Sequence, residues 1–264
     1  MYDAKYHKPS SIADAVAALS AAEEGKILSG GQTLIPTMKQ HLAAPSDLVD
    51  IRGIDGMAGV TVGDGAVTIG AATTHADVAG NADVRAHLPG LAALAAGIGD
   101  PAVRAMGTIG GSVANNDPAA DYPAAVLGLG ATVVTDQREI AADDFFQGMF
   151  TTALDEGEVV TAIRFPVAKR AAYAKLPNPA SRYAIAGVFV AETDGDIRVA
   201  VTGAGEDGVH RNAALEAALS SDFSSDAIAG VAPSEEGMMS DIHASAAYRA
   251  HVVNVLAKRA VDNA

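Results

Sequence analysis

Apolar residues Ile12, Val16 and Leu19 recur at helical spacing behind Ser10 and Ser11, with Asp14 three residues after Ser11. A hydroxyl at the entrance and an acid in the first turn are helix-start signals, so the pattern predicts a helix that Gly25 ends. Lys26-Ile27-Leu28 then reads as a short strand running into Ser29-Gly30-Gly31-Gln32-Thr33. Residues 34–40 read as a helix that tolerates Pro36 in its first turn. Strand and helix alternating in this way argue for an α/β unit. From Leu48 onward the period shortens. Val60-Thr61-Val62 and Val67-Thr68-Ile69 alternate across Gly63-Asp64-Gly65, a hairpin signal. A helical stretch at 88–98 precedes a glycine-rich segment at 100–121; residues 126–134 lead into a strand, and residues 159–165 form another that Pro166 ends. Further on, 183–191 and 197–202 read as antiparallel strands joined at Asp194-Gly195-Asp196. Residues 213–219 read as a helix, 220–240 as a Ser/Asp/Gly-rich loop, and 243–260 as a long terminal helix. Tyr248, Val252, Val255 and Leu256 share one side of that last helix and are read as packing residues. The texture changes near residue 167, where a boundary is expected.

Composition narrows the class. The 264 residues hold 18 basic and 32 acidic side chains, a balance of −14, and 49% are hydrophobic. That is too apolar for disorder and too acidic for a binder of phosphate backbones. No apolar run of 18 residues escapes a charge or a glycine, and the N-terminus shows no basic region followed by an apolar stretch, so a soluble cytoplasmic α/β protein is expected. Without cysteine there is no disulfide and no thiolate-held iron–sulfur cluster in this chain. The seven histidines are scattered and none pairs with a carboxylate at helical metal-site spacing. No G-x-S-x-G nucleophile elbow is present.

Two glycine-containing segments carry the chemistry. Ser29-Gly30-Gly31-Gln32-Thr33 lies between a strand and a helix start, where backbone N–H groups and the helix dipole suit an anion. The same five residues also read as an ordinary strand-to-helix turn. The second segment is Gly107-Thr108-Ile109-Gly110-Gly111-Ser112-Val113-Ala114-Asn115-Asn116-Asp117-Pro118. Its glycines, hydroxyls and amides suit a polar, phosphate-bearing ligand, with Asp121 just beyond for a ribose hydroxyl. It reads equally as a tight bend in which Gly supplies positive φ and Asn caps a helix. Neither segment has the G-x-G-x-x-G spacing of a dinucleotide fingerprint or the Lys of a P-loop. Taken together they favour one ligand with two phosphates, held by backbone amides and no basic side chain. His75, after two threonines, reads as structural or as a neighbour of that ligand.

The two segments, in this order and spacing, resemble the paired FAD loops of the medium, flavin-binding subunit of molybdenum hydroxylases, the carbon monoxide dehydrogenase and xanthine dehydrogenase family. Thr73-Thr74-His75-Ala76-Asp77, Asp121-Tyr122-Pro123-Ala124, Asp144-Phe145-Phe146-Gln147-Gly148 and the ending from Ser245 to His251 support it. The resemblance implies an α+β fold. A two-part α/β FAD-binding domain of the vanillyl-alcohol oxidase type would span residues 1–167, with subdomains of about 1–55 and 56–167. A C-terminal domain with a small antiparallel sheet and helices would span 168–264. It also implies FAD contacts at Leu28, Ser29, Gly30, Gly31, Gln32, Thr33 and Leu34 in the first loop, and at Thr74 and Ile98. Further contacts are implied at Thr108, Ile109, Gly110, Gly111, Ser112 and Asn115 in the second loop, and at Asp121, Val160 and Tyr183. Tyr183 matches a position that approaches the isoalloxazine ring, although Asn178-Pro179-Ala180-Ser181-Arg182 departs from the commoner basic-acidic lead-in. Gln32, Thr33 and His243 also depart from common family residues.

Neither loop holds a His or Tyr, so the flavin is expected to be bound non-covalently, and no residue is assigned as an acid–base catalyst. By resemblance the molybdenum cofactor belongs to a large partner subunit and two [2Fe–2S] clusters to a small one, in a dimer of heterotrimers. Electrons would pass from those clusters through FAD to an external acceptor. Two other readings are a self-contained FAD oxidase or dehydrogenase, and a non-catalytic assembly scaffold.

Overall fold

The computed structural model describes residues 1–264. Its first layer is a three-stranded parallel sheet of β1 (Lys5–His7), β2 (Gly25–Leu28) and β3 (Asp47–Asp50), with β3 in the middle. Helix α1 (Ile12–Ala21) crosses from β1 to β2. Ser11 caps it by accepting from the Asp14 N–H, and the face it packs is Ile12, Ala15 and Leu19, with Ala15 fully buried. Helix α2 (Leu34–Lys39) follows β2 after the first glycine segment. That segment therefore sits at the carboxyl end of a parallel strand, where open α/β sheets bind their ligands.

A five-stranded antiparallel sheet comes next. Strands β4 (Val60–Gly63) and β5 (Ala66–Gly70) form the expected hairpin. The chain then runs through six helices before re-entering the sheet: α3 (His75–Gly80), α4 (Ala82–His87), α5 (Pro89–Ala96), α6 (Pro101–Met106), α7 (Ile109–Asn115) and α8 (Tyr122–Gly128). Strands β6 (Thr132–Thr135) and β7 (Glu139–Ala141), the short helix α9 (Ala142–Phe145), and the hairpin β8 (Phe146–Gly148) and β9 (Thr151–Thr152) lead to β10 (Val160–Pro166). Strand β10 lies between β5 and β6 and closes the order β4-β5-β10-β6-β7.

The last layer is a four-stranded antiparallel sheet, β11 (Arg170–Pro177), β12 (Ala184–Thr193), β13 (Asp196–Thr202) and β14 (His210–Arg211) in sequence order, with α10 (Ala213–Ser221) and α11 (Ala246–Asp262). Its strands alternate between two cores, as a pleated sheet buried on both faces must. Val188, Val190, Val199 and Val201 pack with α10 and α11. Phe189, Ala191 and Ala200 belong instead to the core of the first two layers, together with fully buried residues of α8 such as Ala124 and Val126.

Several elements differ from the sequence reading. The glycine-rich segment is largely helical, as α6 and α7, because Asp100 caps the first by accepting from the Val103 N–H and Thr108 caps the second by accepting from the Gly111 N–H. The stretch leading to β6 contains α8, whose seven residues are all buried and so show no amphipathic period. Strand β11 escaped notice. The terminal helix begins at Ala246 behind the cap Ser245; Tyr248 is half exposed, and the packed face is Ala250, Val252, Val253, Leu256, Ala257 and Ala260.

Candidate functional site

The two glycine segments meet. The Ser29 Oγ and Thr108 Oγ1 hydroxyls are 2.9 Å apart and buried. A Cβ on Gly30 would lie 2.6 Å from the Cα of Gly107, so only glycine lets the backbones touch here. Along one side of this junction runs a cleft of about 1100 Å³, lined by residues 28–34, by Gly107, Thr108, Gly110, Gly111 and Ser112, and by side chains of all three layers. Drug-sized pockets run from about 300 to 1000 Å³, so a cleft of this size suits a dinucleotide.

The segments contribute differently. The N–H groups of Ser29, Gly30, Gly31, Gln32 and Thr33 find no acceptor within the chain. Five consecutive uncommitted donors ending at the start of α2 are available to an anion without a side-chain cation. The second segment is more constrained. Its Ile109 N–H donates to the Thr73 carbonyl at 3.1 Å and its Gly110 N–H to the Ala71 carbonyl at 2.9 Å. These bonds stitch the first turn of α7 onto the end of β5, and Gly110 is required there because a Cβ would stand 2.7 Å from the Ala71 oxygen. Of the amides at 108–112 only the Thr108 N–H lacks an acceptor, so the first segment supplies most of the free donors and the second one donor and a rigid, close floor.

Most residues singled out in the sequence line the cleft: Leu28 to Leu34, Ile98, Thr108, Gly110, Gly111, Ser112, Asn115, Asp121, Val160 and Tyr183. Two lie elsewhere. Ile109 is fully buried in the core. Thr74 caps α3, its Oγ1 accepting from the Asp77 N–H, and sits outside the lining.

Asp121 lies on the cleft wall with both carboxylate oxygens engaged. Tyr173 donates to Oδ1 at 2.5 Å, and the Lys175 Nζ donates to Oδ2 at 3.0 Å. Burial pushes the Asp121 carboxyl up from its ordinary range, while Lys175 and Tyr173 oppose that shift. Lys175 also donates to the carbonyls of Gly97 and Arg182, so it ties α5, α8 and the loop between β11 and β12 together. Sequence reading missed Tyr173 and Lys175, since they lie more than 50 residues from Asp121. Alternation is the one signal they leave, because residues two apart on a strand share a face.

His75 lines the cleft under Gly107 and is 5% exposed. Burial lowers its pKa to about 4, with help from the Arg104 charge, so the ring is neutral at pH 7. Its Nδ1 and the hydroxyl of Tyr122, whose ring centroid is 5.3 Å away, are both buried without a partner. At the opposite end, Ser181, Arg182 and Tyr183 form the rim, with Tyr183 45% exposed. No group of three or more His, Cys, Asp or Glu side chains is placed to hold a metal ion, and no helix is long and apolar enough to cross a membrane.

A wide cleft at a parallel-strand end, with unpaired backbone donors along one wall and the β11–β12 loop at its rim, suits a nucleotide-cofactor protein of α+β class. Residues 2–168 match the FAD binding domain in molybdopterin dehydrogenase, and the chain belongs to this family. It is 33% identical to the carbon monoxide dehydrogenase medium chain of Hydrogenophaga pseudoflava over 98% of this chain and 96% of that one. It is 43% identical to the medium chain from Afipia carboxidovorans over 71% of this chain and 68% of that one. The fold superposes on a chain of a Cu,Mo-CO dehydrogenase crystal structure with a TM-score of 0.87 at 35% identity, covering 99% of this chain and 97% of the other. It is thus an FAD-binding, medium-type subunit of a molybdenum-hydroxylase oxidoreductase.

Proposed function

We propose that the chain holds one FAD non-covalently and carries electrons from a partner's [2Fe–2S] clusters to an external acceptor. The observation that carries this reading is the run of five unpaired N–H groups at residues 29–33, residues that line a dinucleotide-sized cleft. These donors and the dipole of α2 would neutralise the diphosphate. Thr108, Gly110, Gly111 and Ser112 would pack closely beneath it, and Asp121 and the backbone near Ile98 and Val160 would border the rest of the cofactor. Tyr183 at the rim would approach the ring system. FAD, when bound, exchanges electrons singly or in pairs, which lets a one-electron cluster chain serve a two-electron acceptor. The chain's own work is binding, orientation and exclusion of water. His75 is neutral and packed under the floor, so it is given no proton-transfer role.

The proposed partners are a large molybdopterin-binding subunit where substrate is oxidised and a small iron–sulfur subunit, in a cytoplasmic dimer of heterotrimers; the likeness to medium chains of dehydrogenases supports a multi-subunit assembly. The division of labour within the chain would be residues 1–167 for FAD, in subdomains near 1–55 and 56–167, and residues 168–264 for the rim. Native purification of the chain with whatever binds it, followed by flavin absorbance and metal analysis, tests the assignment. Stoichiometric FAD in a complex containing molybdenum and iron is expected. A complex that stays free of flavin after incubation with excess FAD overturns it.

A further inference from the structure

The backbone fixes where His75 enters the lining of the cleft. Its N–H donates to the Gly107 carbonyl at 2.9 Å, Thr74 pairs with Thr108, and the Ile109 N–H donates to the Thr73 carbonyl. Three successive residues are thus pinned along the second glycine segment. The two nitrogens of the imidazole then meet different surroundings. Nδ1 is wholly enclosed without a partner, as is the hydroxyl of the neighbouring Tyr122. Nε2 has no partner within the chain either, but it keeps accessible surface in a residue that lines the cleft.

Gly107 keeps that nitrogen open. Its φ of −61° and ψ of 142° suit any residue, so no turn requires glycine there. What a side chain would meet is the imidazole, since a Cβ on Gly107 would stand 2.6 Å from Nε2 and 2.9 Å from Cδ2. The Cα of the same Gly107 touches Gly30, so a single residue separates Nε2 from the unpaired N–H groups of 29–33, and the free Thr108 N–H is next along the chain. Burial and the Arg104 charge keep the ring neutral at pH 7, so it carries one N–H. An enclosed N–H with no acceptor is the costlier orphan. A proton on Nε2 avoids it and leaves Nδ1 as an acceptor beside the Tyr122 hydroxyl. Nε2–H therefore adds a side-chain donor to a group of backbone donors, all without acceptors in the chain, and an oxygen-rich anion is the ligand that satisfies such a group.

We infer that His75 is a cofactor-binding residue whose Nε2–H donates to an oxygen of the FAD diphosphate, a contact that rests on the flavoprotein reading. No proton is transferred; the neutral ring holds and orients the diphosphate. Fluorescence titration of FAD and isothermal titration of ADP-ribose, which has the diphosphate and lacks the flavin, into the flavin-free complex test this. His75→Leu removes the donor, His75→Asn places an amide near Nδ1 and away from Nε2, and His75→Gln carries an amide nitrogen to the place of Nε2. The Leu and Asn variants are expected to raise the Kd of both ligands at least about tenfold, and the Gln variant to stay within about threefold of the parent. A merely structural role would lower the Tm of the flavin-free complex in all three and would not single out Gln. Leu and Asn variants within about threefold of the parent overturn the inference, as does a Gln variant as weak as those two, or a loss of FAD affinity with ADP-ribose binding intact. A parent complex that binds ADP-ribose and not FAD sinks the flavoprotein reading and leaves the His75 contact to be read from ADP-ribose; a parent that binds neither overturns both.

Discussion

Gly30→Ala isolates the contact on which the cleft depends. The added Cβ would stand 2.6 Å from the Gly107 Cα and 2.9 Å from the Met106 carbonyl carbon, both backbone atoms that cannot rotate away. Carbon atoms pack at about 3.5–4.0 Å, so the two segments must separate by roughly 1 Å. The Ser29–Thr108 hydroxyl contact, now 2.9 Å, would then pass beyond hydrogen-bond length. Overpacking costs about 1–3 kcal/mol and the lost hydrogen bond about 1 kcal/mol; the two overlap, and about 2–3 kcal/mol is expected together. The free chain relieves the clash by parting the segments and FAD binding must close them again, so the cost falls on binding: at 1.4 kcal/mol per factor of ten this is roughly a 30- to 150-fold rise in the Kd for FAD. The control is Gly80→Ala, where the new methyl meets nothing within 4 Å. Fluorescence titration of FAD into the flavin-free complex, with the protein's Tm, measures both. An FAD affinity for Gly30→Ala within threefold of the parent would refute the reasoning, since it would mean that the junction of the two segments does not set the shape of the cleft.

Other perturbations follow from the same geometry. The His75 ring titrates near 6.5 when unfolded and near 4 when folded, so between those values only the unfolded chain gains the proton. Stability therefore falls as pH falls through that window, by up to about 3 kcal/mol, and His75→Gln should flatten this part of a urea-denaturation pH profile. The Arg138 guanidinium holds the Glu158 carboxyl down to about 2, so its contribution is intact above pH 4.5 and lost as pH drops towards 2; Glu158→Gln should remove that acid-dependent step in Tm. Asn116, 1% exposed at φ +43°, donates to the carbonyls of Gly148 and Thr151, so Asn116→Ala should cost about 2–3 kcal/mol in chemical denaturation and loosen the β8–β9 hairpin in hydrogen exchange. Asp121→Asn strips the buried Lys175 ammonium of its counter-charge and should lower stability by about 3–5 kcal/mol by the same measurement.

What the sequence made legible was local. β2, the Gly-Gly turn and α2 announce themselves by a strand, a break and a helix start within sixteen residues, and the β4–β5 hairpin by alternation around Asp64-Gly65. The helix α7 was hidden because glycine disfavours helix. The carbonyls of Ala71 and Thr73, some 40 residues earlier, hold its first turn in place together with the Thr108 cap. Helix α8 was hidden by total burial, and β11 because its character comes from pairing with β12. Of the site, the two loops could be found from motif and spacing. The Tyr173–Asp121–Lys175 arrangement could not, because it arises from chain crossings that no short window contains.

The interlocking of the third sheet with the first two layers bears on how such a chain can be cut. Phe189, Ala191 and Ala200 complete the packing around α8, and Lys175 reaches back to Asp121. A fragment ending at residue 168 would thus carry the whole matched family segment yet present a raw greasy flank to water. Truncation there should yield inclusion bodies, not a smaller flavoprotein.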